Sequence, residues 1–318
     1  MILTVTLNPS VDHALFVDGL KLCDTNRVLR TEVDAGGKGV NLSRVAVEMG
    51  AMSVATGFLG GGNAGFIRKV LVRQHVLHDF VDVHGETRTN FSVEDGTGAP
   101  PTTFNERGPT ISEDEYERLI EKLDHYAPRA AWVAFGGSIP QGLQAETYRD
   151  LVRRVRKHGA RVVLDADGDP MRFGIEARPD FIKPNAREAE RLLGLTTTIP
   201  DLASAVEAAR RLQVQTEGLV VISCGEQGAV AVDRDGSAWS GESPRVEVRS
   251  TIGSGDSLIA GMLAAFEAGR GFPEALAWGI AAGAATATTD GSEIGRKPTI
   301  DALLPSVRVT EATPLPPR

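Results

Sequence analysis

The stretch Ser250-Thr251-Ile252-Gly253-Ser254-Gly255-Asp256-Ser257 runs directly into an apolar segment, residues 258–266, which Gly269 can end as a helix C′ residue. This pattern predicts a turn that becomes a helix at about Asp256. A helix start exposes unpaired N–H groups and a partial positive charge of about half a unit, and glycines let an anion approach that backbone closely. Asp256 therefore has two candidate roles: it caps the helix, or it faces a bound anion and takes a proton from an attacking hydroxyl.

Composition and charge narrow the class of protein. The chain has 318 residues, 42% hydrophobic and 24% charged, and a formal net charge of −8. This length permits one large α/β domain or two smaller ones. The charge argues against a nucleic-acid or membrane-surface binder, but it leaves room for a local basic pocket that binds a phosphorylated ligand. Cys23 and Cys224 lack metal-type spacing and indicate reduced thiols. With no signal-peptide pattern before Asn8-Pro9 and no apolar run of membrane-span length, we expect a soluble cytoplasmic protein.

Strands alternate with helices along most of the chain. Residues 2–7 indicate a buried strand, and Ser112-x-x-Glu115 is a capping box that starts a helix. Further strands are predicted at residues 53–59, 131–135, 161–165, 181–182, 219–223 and 229–233. This alternation predicts an α/β fold in three layers, a mainly parallel sheet with helices on both faces, in a single domain over residues 1–318.

Two segments interrupt the alternation, at about residues 12–34 and 86–106. The first is irregular and predicts only short strands. In the second, residues 87–93 alternate as a half-exposed strand that residues 102–105 could pair with as a hairpin. We expect the two segments to form one small β-sheet lid over a cleft. Arg88 would then point at a substrate, or else be an ordinary edge-strand arginine.

The segment Gly36-Gly37-Lys38-Gly39-Val40-Asn41 opens a predicted helix. Glycines at a helix start, with a lysine among them, are typical of an anion-binding nest. The spacing is not that of a Walker A loop. On these residues alone, a flexible loop with a solvated lysine is an equal alternative.

Residues 60–65 read Gly60-Gly61-Gly62-Asn63-Ala64-Gly65, which matches G-x-G-x-x-G between a strand and a helix. Asp79 and Asp82 lie near the distance expected for a ribose-binding acid, so a dinucleotide-dependent oxidoreductase is an alternative function. The motif follows a later strand rather than the first, which favours a simple glycine turn.

Polar groups recur where predicted strands end, and such ends share one edge of a parallel sheet. These groups predict phosphoryl transfer, which needs N–H donors, cations or Mg²⁺, and a base that orients the acceptor. They are Asp12, residues 136–138, Asp165, Lys183 and Asn185, residues 223–225, and residues 253–256.

The same blocks resemble the PfkB (ribokinase-like) family of carbohydrate kinases along nearly the whole chain. Residues 36–41 are similar to the family's N-terminal signature, and residues 251–256 to its C-terminal signature. The intervening blocks match in order, namely residues 137–140, residues 183–185 with Glu188, and residues 223–225. Within the family, the chain resembles the branch that acts on phosphorylated ketohexoses. This likeness lies in residues 3–12, Lys38 and residues 87–90.

The resemblance implies a ribokinase-like kinase domain with ATP and Mg²⁺ as cofactors, and a role for each matching residue. Asp256 would be the base that takes the proton from the sugar hydroxyl. The transferring phosphoryl group would be held by N–H groups of Gly253, Ser254, Gly255 and Asp256. Sugar hydroxyls would be bound by Asp12, Gly37, Asn41 and Ser138. The phosphate that the sugar already carries would be bound by Lys38, Arg88 and Arg27. ATP would be bound by Lys183, Asn185, Ser223, Gly225 and Gly228, with Asn185 and Glu188 helping to place Mg²⁺.

The resemblance favours fructose 1-phosphate as the substrate and fructose 1,6-bisphosphate as the product, because residues 102–105 are similar to the lid of the 1-phosphofructokinases. Residues 108–112, and Ser254 in place of the usual Ala, are closer to tagatose-6-phosphate kinases. Fructose 6-phosphate is a further alternative, and Asp165-Ala166-Asp167-Gly168 departs from the family pattern. The resemblance also implies a homodimer through the lid, with a sugar phosphate and ATP as small-molecule partners. A non-catalytic sugar-phosphate sensor is a third class, against which the retained Asp256 argues.

Overall fold

The structure is a computed structural model that describes residues 1–97 and 101–312. Its strands are β1 (Ile2–Thr6), β2 (Ser10–Val17), β3 (Val28–Gly36), β4 (Ser53–Leu59), β5 (Leu77–His78), β6 (Val81–Asp82), β7 (Arg88–Glu94), β8 (Thr102–Asn105), β9 (Trp132–Gly136), β10 (Arg161–Asp165), β11 (Phe181–Ile182), β12 (Leu219–Ser223), β13 (Gly228–Val232), β14 (Ala238–Glu242) and β15 (Arg308–Glu311). Its helices are α1 (Lys38–Glu48), α2 (Gly61–Arg73), α3 (Glu113–Tyr126), α4 (Thr147–Arg156), α5 (Gly168–Ile175), α6 (Ala186–Leu193), α7 (Leu202–Thr216), α8 (Ser254–Glu267), α9 (Phe272–Ala287) and α10 (Lys297–Leu303).

The main sheet has 11 strands, in the order β15-β14-β13-β12-β11-β10-β9-β1-β4-β5 with β6 beside β4. Neighbours from β12 to β5 are parallel, and the three strands at the other edge are antiparallel. Apolar side chains alternate between two cores: Ile2 belongs to the cluster that includes side chains of α1, α8 and α9, and Leu3 belongs to the cluster that includes side chains of α3, α4 and α7. The predicted three-layer α/β fold is confirmed, and its parallel strands end at one edge.

Helices α8 and α9 approach each other closely through glycines. A Cβ at Gly261 would lie 2.7 Å from the backbone oxygen of Trp278, and a Cβ at Gly279 would lie 2.7 Å from that of Leu258. Residues 256–265 of α8 are all buried. Backbone-to-backbone packing of this kind fixes the position of the N-terminus of α8. No helix within the described ranges is long and apolar enough to cross a membrane.

A second sheet of four strands, in the order β3-β2-β7-β8, is formed by the two interrupting segments. Strands β7 and β8 pair as the predicted hairpin, with Phe91 opposite Phe104. Strands β2 and β3 are 8 and 9 residues long, so the prediction of short, irregular strands was wrong. Most of β3 is exposed on both faces, and a strand of this kind lacks the alternation that marks one. Residues 98–100, between β7 and β8, lie outside the described part of the chain.

The carboxyl end of the chain adds an unpredicted strand. Strand β15 pairs antiparallel with β14, Val309 lying opposite Gly241. A Pro-rich composition from residue 310 onward is typical of a frayed tail, but residues 310 and 311 belong to this strand. Residues 313–318 lie outside the described part of the chain.

Candidate active site

A cleft of about 1490 Å³ opens where the carboxyl ends of the main-sheet strands face the second sheet. Two groups of residues that line the cleft lie on parts of the fold where the sequence did not predict them. Asp12 lies on β2 of the second sheet, and residues 253–256 follow a long connection after β14. The predicted site residues that line the cleft are Asp12, Gly37, Lys38, Asn41, Arg88, Ser138, Lys183, Asn185, Glu188, Ser223, Gly225, Gly228, Gly253, Ser254, Gly255 and Asp256.

The start of α8 forms one wall of the cleft. The helix begins at Ser254, two residues earlier than predicted, and its N-cap is Gly253 with φ 77°. That conformation is in the left-handed region, which a glycine adopts at little cost. Because Gly253 is the cap, the prediction that Asp256 caps the helix is wrong. Asp256 is the third residue of the first turn, where N–H groups lack partners within the helix, and it lines the cleft.

The carboxylate of Asp256 is buried, with a relative exposure of 7%. The side-chain nitrogen of Asn41 donates a hydrogen bond to Oδ2 at 2.9 Å, which leaves Oδ1 for another partner. Burial raises the pKa of Asp256 to about 6, while Lys38 and Lys183 oppose this shift and Asp165 adds to it. A carboxylate with such a pKa is suited to accept a proton near neutral pH.

Two lysines share a carboxylate beside Asp256. Nζ of Lys38 lies 2.9 Å from Oδ1 of Asp165, and Nζ of Lys183 lies 3.8 Å from the same oxygen. Burial works against the charge of Lys38, but the carboxylates of Asp165 and Asp256 raise its pKa above the ordinary value. Lys38 therefore remains a cation where phosphate charge would be bound. The sequence had marked Asp165 only as a strand-end residue and had given it no role.

On the sugar side, the polar groups are held by hydrogen bonds to one another. Oδ1 of Asp12 accepts from the Ser10 hydroxyl at 2.7 Å and from Asn90 at 3.0 Å. A Cβ at Gly36 would lie 2.0 Å from Oδ2 of Asp12, so the glycine makes room for this carboxylate. The Asn8 side chain donates to the Ser138 hydroxyl at 3.1 Å. Asn8 and Asn90 line the cleft as well, and sequence reasoning missed both.

Arg88 enters the cleft from β7. Its Nε donates to the backbone oxygen of Asn8, and Nη1 donates to that of Glu106, both at 3.2 Å. Burial lowers the pKa of Arg88, but an arginine remains charged at neutral pH. Within the described part of the chain, no carboxylate forms an ion pair with it. By contrast, Arg27 is exposed in the connection between β2 and β3 and does not line the cleft.

The opposite end of the cleft is built from the starts of α6 and β13. Asn185 caps α6: its side chain accepts from the Glu188 N–H at 2.9 Å, and Oε2 of Glu188 accepts from the Asn185 N–H at 2.7 Å. Gly228 has φ 119°, and a Cβ there would lie 2.0 Å from the backbone oxygen of Gly241. Ser223 ends β12, next to Gly225. This end is open, glycine-lined and suited to a large anionic ligand.

The glycine motif at residues 60–65 has no space for a pyrophosphate. The Glu86 carboxylate accepts from the N–H groups of Gly62 and Asn63 at 3.1 and 2.7 Å. It thus occupies the helix N-terminus that a dinucleotide would need. The oxidoreductase alternative was wrong, and the simpler interpretation of a glycine turn applies.

Fold and site together define a phosphotransferase: a buried carboxylate, a helix N-terminus and two lysines meet in one cleft at the carboxyl edge of a parallel sheet. Comparison with known proteins makes the class specific. The chain belongs to the pfkB family of carbohydrate kinases, whose family pattern matches residues 5–300. Its reaction is therefore phosphoryl transfer to a hydroxyl, with ATP as the donor.

Relatives are similar over the full length. The chain is 32% identical to the 1-phosphofructokinase of Bacillus subtilis, with 98% of this chain and 99% of the relative covered. It is 36% identical to the 1-phosphofructokinase of Rhodobacter capsulatus, with 86% of each covered. Phosphofructokinase-2 from Escherichia coli, in complex with substrates and products, superposes with a TM-score of 0.89 at 25% identity, over 96% of this chain and 98% of that one. Ribokinase from Thermotoga maritima, at 19% identity over 96% of this chain and 99% of that one, shares the fold with a TM-score of 0.77.

Proposed function

We propose that this kinase transfers the γ-phosphoryl group of ATP to a hydroxyl of fructose 1-phosphate, giving fructose 1,6-bisphosphate. The observation that carries the proposal is the arrangement of one cleft, with Asp256 on the main-sheet side and Arg88 on the second sheet. Arg88 is a cation that forms no ion pair with any carboxylate in the described ranges. The curated relatives named 1-phosphofructokinase support this sugar. Tagatose 6-phosphate and fructose 6-phosphate are the alternative acceptors. The latter is favoured by the likeness to phosphofructokinase-2 from Escherichia coli, which has a solved structure in complex with fructose-6-phosphate.

In this mechanism Asp256 binds the acceptor hydroxyl through Oδ1 and takes its proton as the oxygen attacks the γ-phosphorus. ADP leaves on the opposite side. The N–H groups of residues 253–256 would donate to the phosphoryl oxygens, whose charge is spread over the transition state. Lys38 and Lys183, both within 4 Å of Asp165, would offset the remaining phosphate charge.

The donor atoms in the cleft fit Mg²⁺. Among the described residues, Oε1 of Glu188 has no hydrogen-bond partner, because only Oε2 serves the helix cap. Within the described ranges no cluster of three or more acidic, histidine or cysteine side chains could hold a metal alone. Mg²⁺ in phosphoryl-transfer sites commonly binds one or two carboxylates together with substrate phosphates and water. We therefore propose that Glu188 and Asn185 help to hold Mg²⁺, which would neutralise part of the phosphate charge. Loss of ADP formation on chelation by EDTA, restored by added Mg²⁺, tests this requirement.

The experiment that tests the function measures ADP release in a coupled assay with equal concentrations of fructose 1-phosphate, tagatose 6-phosphate, fructose 6-phosphate and fructose. We expect the highest kcat/KM for fructose 1-phosphate. Preference for another sugar phosphate would replace fructose 1-phosphate as the proposed substrate, while the assignment as a sugar-phosphate kinase would stand. Absence of ADP release with all four would remove the proposed function and favour the sensor alternative.

The buried carboxylate predicts the pH dependence of this reaction. A base must be deprotonated, and burial raises the pKa of Asp256 to about 6. We therefore expect kcat/KM to be constant above that pH and to fall about tenfold for each pH unit below it. The measurement is kcat/KM for the preferred sugar between pH 4.5 and 8.5. An acidic limb centred near pH 4, the ordinary range of an aspartate, would contradict the role of a buried Asp256 as the base.

We also propose that the second sheet is the lid of a single kinase domain and that it pairs with a second copy of the chain. Of the ten large hydrophobic side chains that are exposed in the described residues, five lie on this sheet or its connection. They are Leu22, Val28, Leu29, Val33 and Phe104. A cluster of this kind is typical of a protein–protein interface. Binding of the sugar phosphate by Arg27 stays a prediction, since one chain does not bring that residue to its own cleft.

The dimer is tested with Leu29→Glu combined with Phe104→Glu. These side chains are 72% and 58% exposed, so the substitutions should not disturb the fold of one chain. We expect light scattering after size exclusion to give twice the mass of 33.8 kDa for the wild type and the single mass for the variant. Val214→Glu, on α7 and 75% exposed, is the control and should stay dimeric. A monomeric wild type would contradict the proposal.

A location in the cytoplasm belongs to the same proposal. ATP is the donor, and both cysteines are free thiols in the structure, as is usual in a reducing compartment. Fractionation of the cells that produce the protein tests it.

A further inference from the structure

Arg44 on α1 is a buried cation outside the cleft that none of the steps above uses. Its relative exposure is 2%, yet each part of its guanidinium has an acceptor. Nε donates to the Gln74 side chain at 2.7 Å, Nη1 to the backbone oxygen of Ala35 at 2.9 Å, and Nη2 to the Asp34 carboxylate at 2.8 Å. A buried charge needs such partners, so these three bonds explain how the guanidinium is tolerated in the interior. They do not explain why it lies beside the active site.

A fourth contact connects Arg44 to the base. Nη1 also lies 3.5 Å from Oδ1 of Asn41, one turn earlier on the same helix face, and the Asn41 side-chain nitrogen donates to Oδ2 of Asp256. A flipped amide would set its NH₂ group against the guanidinium and its oxygen against the carboxylate, and both contacts would be repulsive. Arg44 and Asp256 therefore select one orientation of Asn41 between them.

The other end of this connection is the second sheet. Asp34 and Ala35 are near the end of β3, where the chain leaves that sheet through Gly36 and Gly37 into α1. Arg44 holds both residues, one by its side chain and one by its backbone oxygen. The guanidinium thus joins the end of β3 in the second sheet to α1, the helix that carries Asn41.

We propose that Arg44 is a positioning residue of the phosphoryl-transfer reaction. It fixes the orientation of the Asn41 amide, and the amide in turn holds the free oxygen of Asp256 in place relative to the end of β3. The inference rests on the proposed role of Asp256 as the base. Arg44 itself touches neither substrate. Its loss should release the amide and with it the hydrogen bond to Asp256.

The consequence is visible in the titration of Asp256. The charges of Lys38, Lys183 and Asp165 act on the carboxylate through space, and Asn41 is the hydrogen-bond donor that lowers its pKa. When that donor turns away, the three charged groups stay in place and the pKa of Asp256 rises. Because the base is active when deprotonated, the acidic limb of the rate profile should move to higher pH.

The first test compares Arg44→Met and the milder Arg44→Lys with Gln74→Leu as the control. Gln74 binds the far side of the guanidinium, so its loss disturbs the same packing without touching Asn41. We expect kcat to fall about tenfold in both Arg44 variants, the loss of one hydrogen bond to a charged group. We also expect an unchanged KM for ATP, and an acidic limb shifted upward. Gln74→Leu should lower the melting temperature only. The proposal is overturned if the Arg44 variants lose stability alone and keep the wild-type pH profile.

The second test asks whether Arg44 acts through Asn41. In an Asn41→Ala background, Arg44→Lys should lower kcat by less than about twofold, because coupled residues are not additive. Losses that multiply in full would show that Arg44 acts by another route and would overturn the proposal.

A third measurement does not depend on the substrate. In protein labelled with ¹³C at the aspartate carboxyls, the Asp256 signal is the one missing from Asp256→Asn. Its pKa should rise in Arg44→Lys and by a similar amount in Asn41→Ala. A rise in Asn41→Ala alone contradicts the inference. A wild type that phosphorylates no sugar refutes the proposed function instead, while this titration still decides the role of Arg44.

Discussion

Replacing Asp256 by Asn should lower turnover by about a hundredfold to ten-thousandfold, the usual contribution of a general base. The substitution keeps the size of the side chain and an oxygen that can accept the hydrogen bond from Asn41. What it removes is the ability of Oδ1 to take the proton of the acceptor hydroxyl. The loss should appear in kcat, because the amide can still accept or donate a hydrogen bond to the bound sugar.

Stability and nucleotide binding separate this effect from misfolding. A carboxylate whose pKa is raised by burial destabilises the fold at any pH above its ordinary pKa, and the penalty is complete above the raised value of about 6. Asp256→Asn should therefore melt at or above the wild-type temperature at pH 7. Calorimetry should give nearly unchanged affinity for ATP. Asp301→Asn, which removes a carboxylate paired with Lys297 on α10, is the control and should keep full activity. Near-normal turnover of Asp256→Asn would exclude this residue as the base.

Most of the main sheet could be predicted from the sequence because its strands are buried on both faces. Residues 131–135 and 219–223 are nearly continuous apolar runs, which is the pattern of a central parallel strand. Polar residues directly after such runs must lie at one edge, which explains why residues from distant parts of the chain were assigned to one site before any contact was known.

What the sequence could not predict depends on pairing between distant segments. Asp165 follows an ordinary strand, and only the folded chain places it between Lys38 and Lys183. Likewise, the carboxylate that fills the helix start at residues 60–65 comes from Glu86, and nothing local in the glycine motif reveals it. Arg27 shows the opposite limit: the family resemblance assigns it to the sugar phosphate, and within one chain it lies outside the cleft.

The phosphate that the sugar already carries should be recognised mainly by Arg88. Two of its nitrogens are held by backbone oxygens, which fixes the guanidinium. Nη2 has no hydrogen-bond partner among the described residues and can donate to an anion. Arg88→Ala should lower kcat/KM for fructose 1-phosphate by about a hundredfold, the value of a strong charge-assisted contact. The KM for ATP should stay within about twofold of the wild type, since no ATP contact is assigned to this side chain. Lys38→Ala should differ by lowering kcat as well, because Lys38 lies beside Asp165 and Asp256 rather than beside Arg88.

Assays with unphosphorylated fructose show whether the loss of kcat/KM in Arg88→Ala comes from lost contact with the sugar phosphate. Wild-type kcat/KM for fructose should already be low, and Arg88→Ala should leave it unchanged, because no phosphate is present to lose its partner. Arg107→Ala is the matched control: Arg107 is exposed after β8 and does not line the cleft, so its loss should affect neither sugar. Equal losses for fructose and fructose 1-phosphate in Arg88→Ala would mean that the arginine supports the second sheet through Asn8 and Glu106 instead of binding the phosphate. In that case the Arg88 variant, unlike the control, should also have a lower melting temperature.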